Sequence, residues 1–243
     1  MPRKLLTISF IGTGYHGWQV QKNGRSVQQT VCEAMYRLYG NSVAVTGCSR
    51  TDAGVHALKY CFHFDDTKGY NDINIVKALN MYLPDDIAVI SSATVPDDFH
   101  ARYSCKSKTY MYKIYEGFRD PFLEGRAYNY KRHLDLDKMN FFAKGLLGRN
   151  DFKSFCASGS SVENTVRNLT KCQVYKDGNI IKILLSADGF LYNMVRIIAG
   201  TLVAVSEGRI SENSAKDIIN LKDRNMAGPT LPACGLYLCD VLY

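Results

Sequence analysis

The sequence of 243 residues lacks the hydrophobic segments of an exported or membrane-spanning protein. Its best apolar run, Ile197 to Val205, is about half of the ~20 residues that a bilayer requires. The apolar segment near the start, Leu5 to Phe10, is too short for the hydrophobic region of an export signal. We therefore expect a cytoplasmic protein that does not associate with membranes.

The sequence also lacks a cysteine pattern typical of zinc sites. None of its eight cysteines forms a CxxC pair, and the closest two, Cys234 and Cys239, are five positions apart. Structural zinc sites usually combine two close pairs. Most of these cysteines have apolar neighbours, which favours small buried side chains in a reducing compartment.

Acidic residues are fewer than basic ones. The chain has 23 Asp and Glu against 30 Lys and Arg, a net charge of +7. This excess favours an anionic partner, but only weakly, because the basic residues are spread along the chain without a polybasic tail. With 46% hydrophobic residues and this length, we expect one or two globular domains.

The spacing of apolar residues predicts an α+β fold in two halves, 1–103 and 104–243. The elements predicted in the first half are a strand over 5–10, a helix from Ser26 to Gly40, strands over 43–48 and 58–64, a helix over 73–83 and a strand over 87–95. Those predicted in the second half are a strand over 108–115, a helix from Asp135 or Asp137 to Gly148, a hairpin of 166–175 and 180–187, helices over 190–206 and 211–221, and a strand over 236–242.

Residues 47–57, GCSRTDAGVHA, lie between two predicted strands and therefore form a loop. Loops held by rigid strands often present reactive groups. Arg50 stands two positions before Asp52, and a carboxylate near a cation is the minimum for a nucleophile or base that stays ionised. An Asp turn with an arginine neighbour and no chemistry also explains the same residues.

The string RTDAGVH at 50–56 resembles the signature loop of the TruA-type tRNA pseudouridine synthases. Further matches follow in the family's order at 15–19, 97–102, 108–112, 152–155, 194–200 and 235–238. The resemblance spans almost the whole chain. It implies the pseudouridine synthase fold: two ferredoxin-like, RRM-like α+β halves joined into a mixed, mainly antiparallel sheet with helices on one face.

The resemblance also implies the reaction. Such enzymes convert uridine to pseudouridine at positions 38, 39 and 40 of the tRNA anticodon stem-loop. Asp52 is then the catalytic aspartate, acting either as a nucleophile at the sugar or as a base on it. The reaction is an isomerisation, so no cofactor and no metal is expected, and the enzyme is expected to be a homodimer that binds tRNA.

Three further site residues follow from the resemblance. Tyr110 stacks on the target base, Arg196 pairs with and orients Asp52, and Arg50 helps to expose the target nucleotide. From the residues alone, Tyr110 is also explained as a core aromatic, Arg196 as half of a structural ion pair, and Arg50 as charge balance for Asp52. In helical spacing, Asn193 lies three residues before Arg196 and is expected close to it.

Further residues near the loop are expected to support it. We interpret Tyr15, Trp18 and His56 as bracing groups. Ser49 stands where the family more commonly has glycine, which leaves open a paralogue with a different uridine target. Two functions outside the family are also compatible with these residues. One is a non-catalytic tRNA-binding folding helper, and the second is an unrelated Asp-dependent hydrolase with His56 beside Asp52.

Phosphate contacts are expected from basic side chains outside the loop. Such contacts give salt-sensitive affinity that does not depend on sequence. The candidates are Lys4, Lys22, Arg25, Lys106, Lys108, Arg126, Lys131 and Arg132.

Overall fold

The computed structural model describes residues 1–160 and 162–243, which form an α+β fold with mainly antiparallel strands, as predicted. The chain divides into two compact units, residues 1–106 with 238–243, and residues 107–237. The strands are β1 Arg3–Phe10, β2 Thr46–Gly47, β3 His56–Asp65, β4 Ile87–Val95, β5 Ser107–Glu116, β6 Tyr128–Tyr130, β7 Gly148–Asp151, β8 Val166–Asp177, β9 Ile180–Ala187 and β10 Leu236–Leu242. The α-helices are α1 Val27–Tyr39, α2 Asp72–Tyr82, α3 Leu136–Gly145, α4 Met194–Ser206 and α5 Ala215–Leu221.

The first unit is built on strands in the order β4-β1-β3, with β2 and residues 238–242 of β10 also beside β3. β1 is antiparallel to both of its neighbours. Its alternate residues Leu6, Ile8 and Phe10 are buried, which is the two-residue period of a strand with one face on a core.

The first helix confirms its predicted ends. The Ser26 hydroxyl accepts the Gln29 amide at 3.2 Å, and Gly40 ends α1 in the left-handed conformation at φ +74°. The Gln29 side chain does not complete a capping box, because it donates to Glu33 instead, at 3.0 Å. The predicted strand over 43–48 is shorter than expected, since only Thr46–Gly47 pair with β3.

The second unit contains strands in the antiparallel order β5-β9-β8-β7, and β6 runs parallel to β5. The predicted hairpin is confirmed, with Gly178 at φ +59° between β8 and β9. Glycine is favoured there because side chains disfavour positive φ.

Two helices of this unit begin later than predicted. α4 starts at Met194 and not at Phe190, because Asn193 has φ +59° and cannot continue an α-helix. α5 starts at Ala215 and not after Ser211, because residues 211–214 form a turn in which the Ser214 amide donates to the Ser211 carbonyl.

The third helix also departs from its predicted end. α3 ends at Gly145, and Gly148, the predicted terminus, has φ +95° and begins β7. Among the described residues, no helix has both the length and the hydropathy needed to cross a bilayer.

Candidate active site

The loop that carries Asp52 is tied to β3 at its start. The Cys48 amide donates to the Cys61 carbonyl at 2.8 Å, and the Tyr60 hydroxyl donates to the Ser49 carbonyl. The Tyr60 ring also stacks on Trp18, with ring centroids 4.2 Å apart. These contacts fix the loop's first residues to a buried strand.

A second segment, residues 12–18, braces the loop from the other side. The Trp18 amide donates to the Thr51 carbonyl at 3.3 Å, and the Gly54 amide donates to the Tyr15 carbonyl at 3.1 Å. These two hydrogen bonds flank Asp52 along the chain. The predicted bracing role of Tyr15 and Trp18 is therefore confirmed by their backbone contacts.

Glycine is required at Gly17 for this close approach. Its φ is +76°, and a Cβ built on it would lie 2.2 Å from the Thr51 carbonyl oxygen. Both the left-handed conformation and the lack of space make a side chain at this position costly. The glycine thus allows residues 12–18 to lie directly against the loop.

Asp52 itself begins a turn. The Val55 amide donates to its carbonyl at 3.2 Å, and Gly54 within the turn has φ +80°. Asp52 is half-buried, whereas Arg50 is exposed. The backbone therefore holds a half-buried aspartate in a fixed position, two residues after an exposed arginine.

His56 has the supporting role that we expected. It is 1% exposed, and its Nδ1 accepts the Gly12 amide at 3.1 Å. Because Nδ1 is an acceptor, the imidazole is the neutral tautomer with its proton on Nε2. A buried ring in this contact supports residues 12–18 and the loop from within the first unit.

Tyr15 is anchored through its hydroxyl as well as its backbone. The hydroxyl donates to the Asp86 carboxylate at 2.7 Å. Burial, and then this hydrogen bond, raise the pKa of Tyr15 to about 12. The phenol thus remains a donor at neutral pH and keeps residues 12–18 in place.

Tyr110 lies on β5 of the second unit, opposite Leu185 of β9. It is 7% exposed, and its ring packs nearly at right angles to the Phe190 ring, with centroids 5.1 Å apart. Tyr112, two residues on, is fully buried and donates its hydroxyl to the Pro232 carbonyl at 2.7 Å. Tyr112 is thus a core residue, while Tyr110 keeps a small accessible area.

The guanidinium of Arg196 is held by two acceptors on its own unit. Its Nε donates to the Leu231 carbonyl and its Nη1 to the Asn193 side-chain oxygen, both at 2.7 Å. The expected proximity of Asn193 is confirmed. The sequence does not predict the contact with Leu231, because 35 positions separate the two residues.

The segment that supplies Leu231 packs tightly on α4. A Cβ on Gly200 would lie 1.8 Å from the Pro229 carbonyl oxygen, and the Gly228 amide donates to the Thr201 hydroxyl at 2.8 Å. This close packing fixes the acceptor of the Arg196 guanidinium.

The four predicted site residues are divided between the two units. Asp52 and Arg50 belong to the first unit, and Tyr110 and Arg196 belong to the second. The Asp52–Arg196 pair stays a prediction.

Comparison with known proteins gives consistent matches. A family model described as tRNA pseudouridine synthase matches residues 6–104 and 142–243. The chain is 46% identical over 241 residues to tRNA pseudouridine synthase A of Ruminiclostridium cellulolyticum, covering 98% of both chains. It is 44% identical to that of Acetivibrio thermocellus (98% of both chains) and 41% identical to that of Thermoanaerobacter pseudethanolicus (100% of both chains).

The chain belongs to the tRNA pseudouridine synthase family. Asp52, Arg50 and Arg196 lie within the two segments that the family model matches, whereas Tyr110 lies between them. The family assignment therefore covers the braced loop and the α4 arginine directly.

The prediction that Lys4 contacts a phosphate is wrong. Lys4 is 5% exposed, and its ammonium donates to Asp72 at 3.0 Å and to the Thr94 hydroxyl at 2.9 Å. Its position on the buried face of β1 explains this, because the alternation that buries Leu6 also buries Lys4. The positive charge of Lys4 is therefore paired with Asp72 within the first unit.

The cysteines of this synthase follow the sequence expectation in part. All eight lie in described ranges and form no disulfide. Cys48, Cys61, Cys156 and Cys172 are buried, and the remaining four are half-buried. Burial raises the pKa of the Cys172 thiol to about 12, so it behaves as a small apolar side chain.

Proposed function

We propose that the chain is a tRNA pseudouridine synthase that isomerises uridine at positions 38, 39 and 40 of the anticodon stem-loop, with Asp52 as the catalytic residue. The observation that carries the proposal is the loop itself. A half-buried aspartate lies between two backbone hydrogen bonds from residues 12–18, in a chain 46% identical to a protein named tRNA pseudouridine synthase A.

The proposed reaction balances without an added reagent. The bond between N1 of uracil and C1′ of ribose breaks, the base turns, and C5 bonds to C1′. The hydrogen on C5 leaves as a proton, and N1 gains one. Asp52 attacks the sugar as a nucleophile or removes a ribose proton as a base, and either step requires the ionised carboxylate.

Arg196 has the proposed role of orienting this carboxylate. A guanidinium that is fixed by Leu231 and Asn193 can present its charge in one direction only, since its plane is set by two short hydrogen bonds. A cation placed in this way favours the ionised form of a carboxyl group. We therefore propose that this positioned cation keeps the Asp52 carboxylate ionised and oriented.

Tyr110 and Arg50 have the proposed roles of receiving the target nucleotide. A base inside a stem must leave its stack before a side chain can reach its sugar. The Tyr110 ring is held in place by its perpendicular contact with the Phe190 ring, and a ring in a fixed position suits stacking on an extruded base. The exposed Arg50 is available to contact the nucleotide or its phosphate.

Mapping of the product tests this proposal. Unmodified tRNA is incubated with the protein, and pseudouridine is located by carbodiimide labelling and reverse-transcription stops. Stops at positions 38 to 40 are expected. Stops elsewhere would indicate a paralogue with another target, and tight binding with no stops would support the folding helper.

A homodimer is also part of the proposal, and sedimentation equilibrium should give twice the mass of one chain.

A further inference from the structure

The turn that follows β4 is organised by one histidine side chain. Nδ1 of His100 accepts the amides of Arg102 at 3.1 Å and Tyr103 at 3.2 Å. The His100 amide donates to the Ser104 hydroxyl at 3.0 Å, and the Ser104 amide donates back to the His100 carbonyl at 2.8 Å. The backbone on which Tyr103 stands is therefore fixed.

This turn is also tied to the body of the first unit. The Ala101 amide donates to Nδ1 of His63 at 3.1 Å, and the Ala101 carbonyl accepts the Tyr243 hydroxyl at 2.9 Å. His63 belongs to β3, and its ring meets the His100 ring with centroids 5.0 Å apart. The turn is thus held by a strand and by the last residue of the chain.

Tyr103 presents an aromatic ring to solvent from this fixed turn. It is 77% exposed, although its ring lies against His100 with centroids 4.3 Å apart and an interplanar angle of 31°. The Arg102 guanidinium carbon lies over the same ring, 5.9 Å from its centroid. His100 lies against the ring, and the large exposed fraction of Tyr103 leaves ring surface on which a planar ligand can stack.

An open groove runs from this ring to the loop of Asp52. Its volume is ≈ 250 Å³, below the roughly 300–1,000 Å³ of pockets for drug-sized ligands, which suits a single base of a longer chain. Arg50 and Arg102 supply its charge, and no carboxylate is among the described side chains that line it. Ser49 also lines it, so the groove adjoins the catalytic loop.

We propose that this groove binds one nucleotide of the tRNA beside the target uridine. The base stacks on Tyr103, and Arg102 contacts the phosphate on that nucleotide. Stacking on an aromatic ring with a guanidinium nearby is the usual way in which single-stranded RNA is bound. This inference rests on the proposed function, because it takes the ligand to be the same tRNA.

The test measures binding separately from turnover. In the Asp52→Asn background, Kd for unmodified tRNA is measured for the otherwise unchanged chain and for Tyr103→Ala, Tyr103→Phe and Arg102→Gln. Loss of one stacked base should weaken binding about 5- to 150-fold in Tyr103→Ala. Tyr103→Phe should retain most of the affinity because it keeps the ring.

Arg102→Gln should act differently from the tyrosine variants. Removing one phosphate contact should reduce the slope of log Kd against log salt by about 0.7 to 1. Exposed residues on α1 of the same unit provide matched controls, Tyr36→Ala and Arg37→Gln, which should change neither affinity nor slope.

A fluorescent probe then locates the base. Anticodon stem-loops with 2-aminopurine on either side of the target should be quenched by the protein at one of these positions, and Tyr103→Ala should abolish that quenching. Wild-type affinity of Tyr103→Ala, or loss of affinity in Tyr103→Phe as large as in Tyr103→Ala, would overturn the proposal. If wild type forms no pseudouridine at all, the proposed function fails instead, and the two failures are distinct.

Discussion

The contact between Gly17 and the Asp52 loop makes a sharp prediction for Gly17→Ala. The new methyl group would lie 2.2 Å from the Thr51 carbonyl oxygen, so that oxygen must retreat by at least 0.8 Å to reach even 3.0 Å. The alanine must also adopt φ +76°, which costs roughly 1–2 kcal/mol. The movement breaks the Trp18–Thr51 hydrogen bond as well, which contributes about 1 kcal/mol.

These effects give an expected loss of about 2–3 kcal/mol in the free energy of unfolding. They also predict a loss of activity, because Asp52 follows Thr51 directly. A displacement of about 1 Å in a catalytic group can reduce turnover by about 100-fold. Urea unfolding measures the first effect, and single-turnover release of tritium from uridine C5 in tRNA measures the second.

Gly14 in the same segment is the matched control. A Cβ there meets nothing within 4 Å, and its φ is not positive. Gly14→Ala should therefore retain both the stability and the single-turnover rate of wild type. If Gly17→Ala behaves like Gly14→Ala, the account of how the loop is held is refuted.

Three shorter predictions follow. Tyr110→Ala should reduce the single-turnover rate at least tenfold more than it reduces tRNA affinity, because the stacked base is needed for chemistry more than for docking; equal losses would contradict this. The hydrogen bond from Tyr130 lowers the pKa of Glu207 in the folded state. The ionised Glu207 therefore contributes fully to the free energy of unfolding above its unfolded-state pKa of about 4.3, and this contribution is lost as the pH falls through the lower folded-state pKa. In urea unfolding, Glu207→Gln should thus cost about 1.5–3 kcal/mol at pH 7 and progressively less below pH 4, and a cost that grows with acid would exclude this. Lys4→Met should lower Tm through loss of the ion pair between the buried Lys4 and the partly exposed Asp72. It should leave the salt slope of tRNA binding unchanged, and a reduced slope would restore Lys4 as a phosphate contact.

Local sequence signals predicted the parts of the fold that depend on neighbouring residues. Ser26 and Gly40 act within one turn of α1, and their roles could be predicted from residue type. The start of α4 could not, because Asn193 adopts a left-handed conformation that its residue type permits but does not require. The short strands β6 and β7 contain too few residues to show a period of two.

The geometry of the candidate site depends more than the helix ends do on contacts between residues far apart in the sequence. The motif singled out Asp52, but the reason for Gly17 is its approach to Thr51, 34 positions away. The same holds for Arg196, whose acceptor Leu231 lies on a later segment. The prediction for Lys4 is wrong because basic charge alone does not distinguish a buried lysine with an internal partner from an exposed phosphate contact.

The most direct measurement is release of tritium from C5 of uridine in unmodified tRNA by wild type, Asp52→Asn and Asp85→Asn. Asp85 is exposed on the same unit and provides a matched loss of one carboxylate. Formation of the C5–C1′ bond must release the C5 hydrogen, so wild type and Asp85→Asn should release tritium at equal rates, whereas Asp52→Asn should bind the tRNA and release none. Release by Asp52→Asn at the wild-type rate would contradict the central role assigned to this carboxylate.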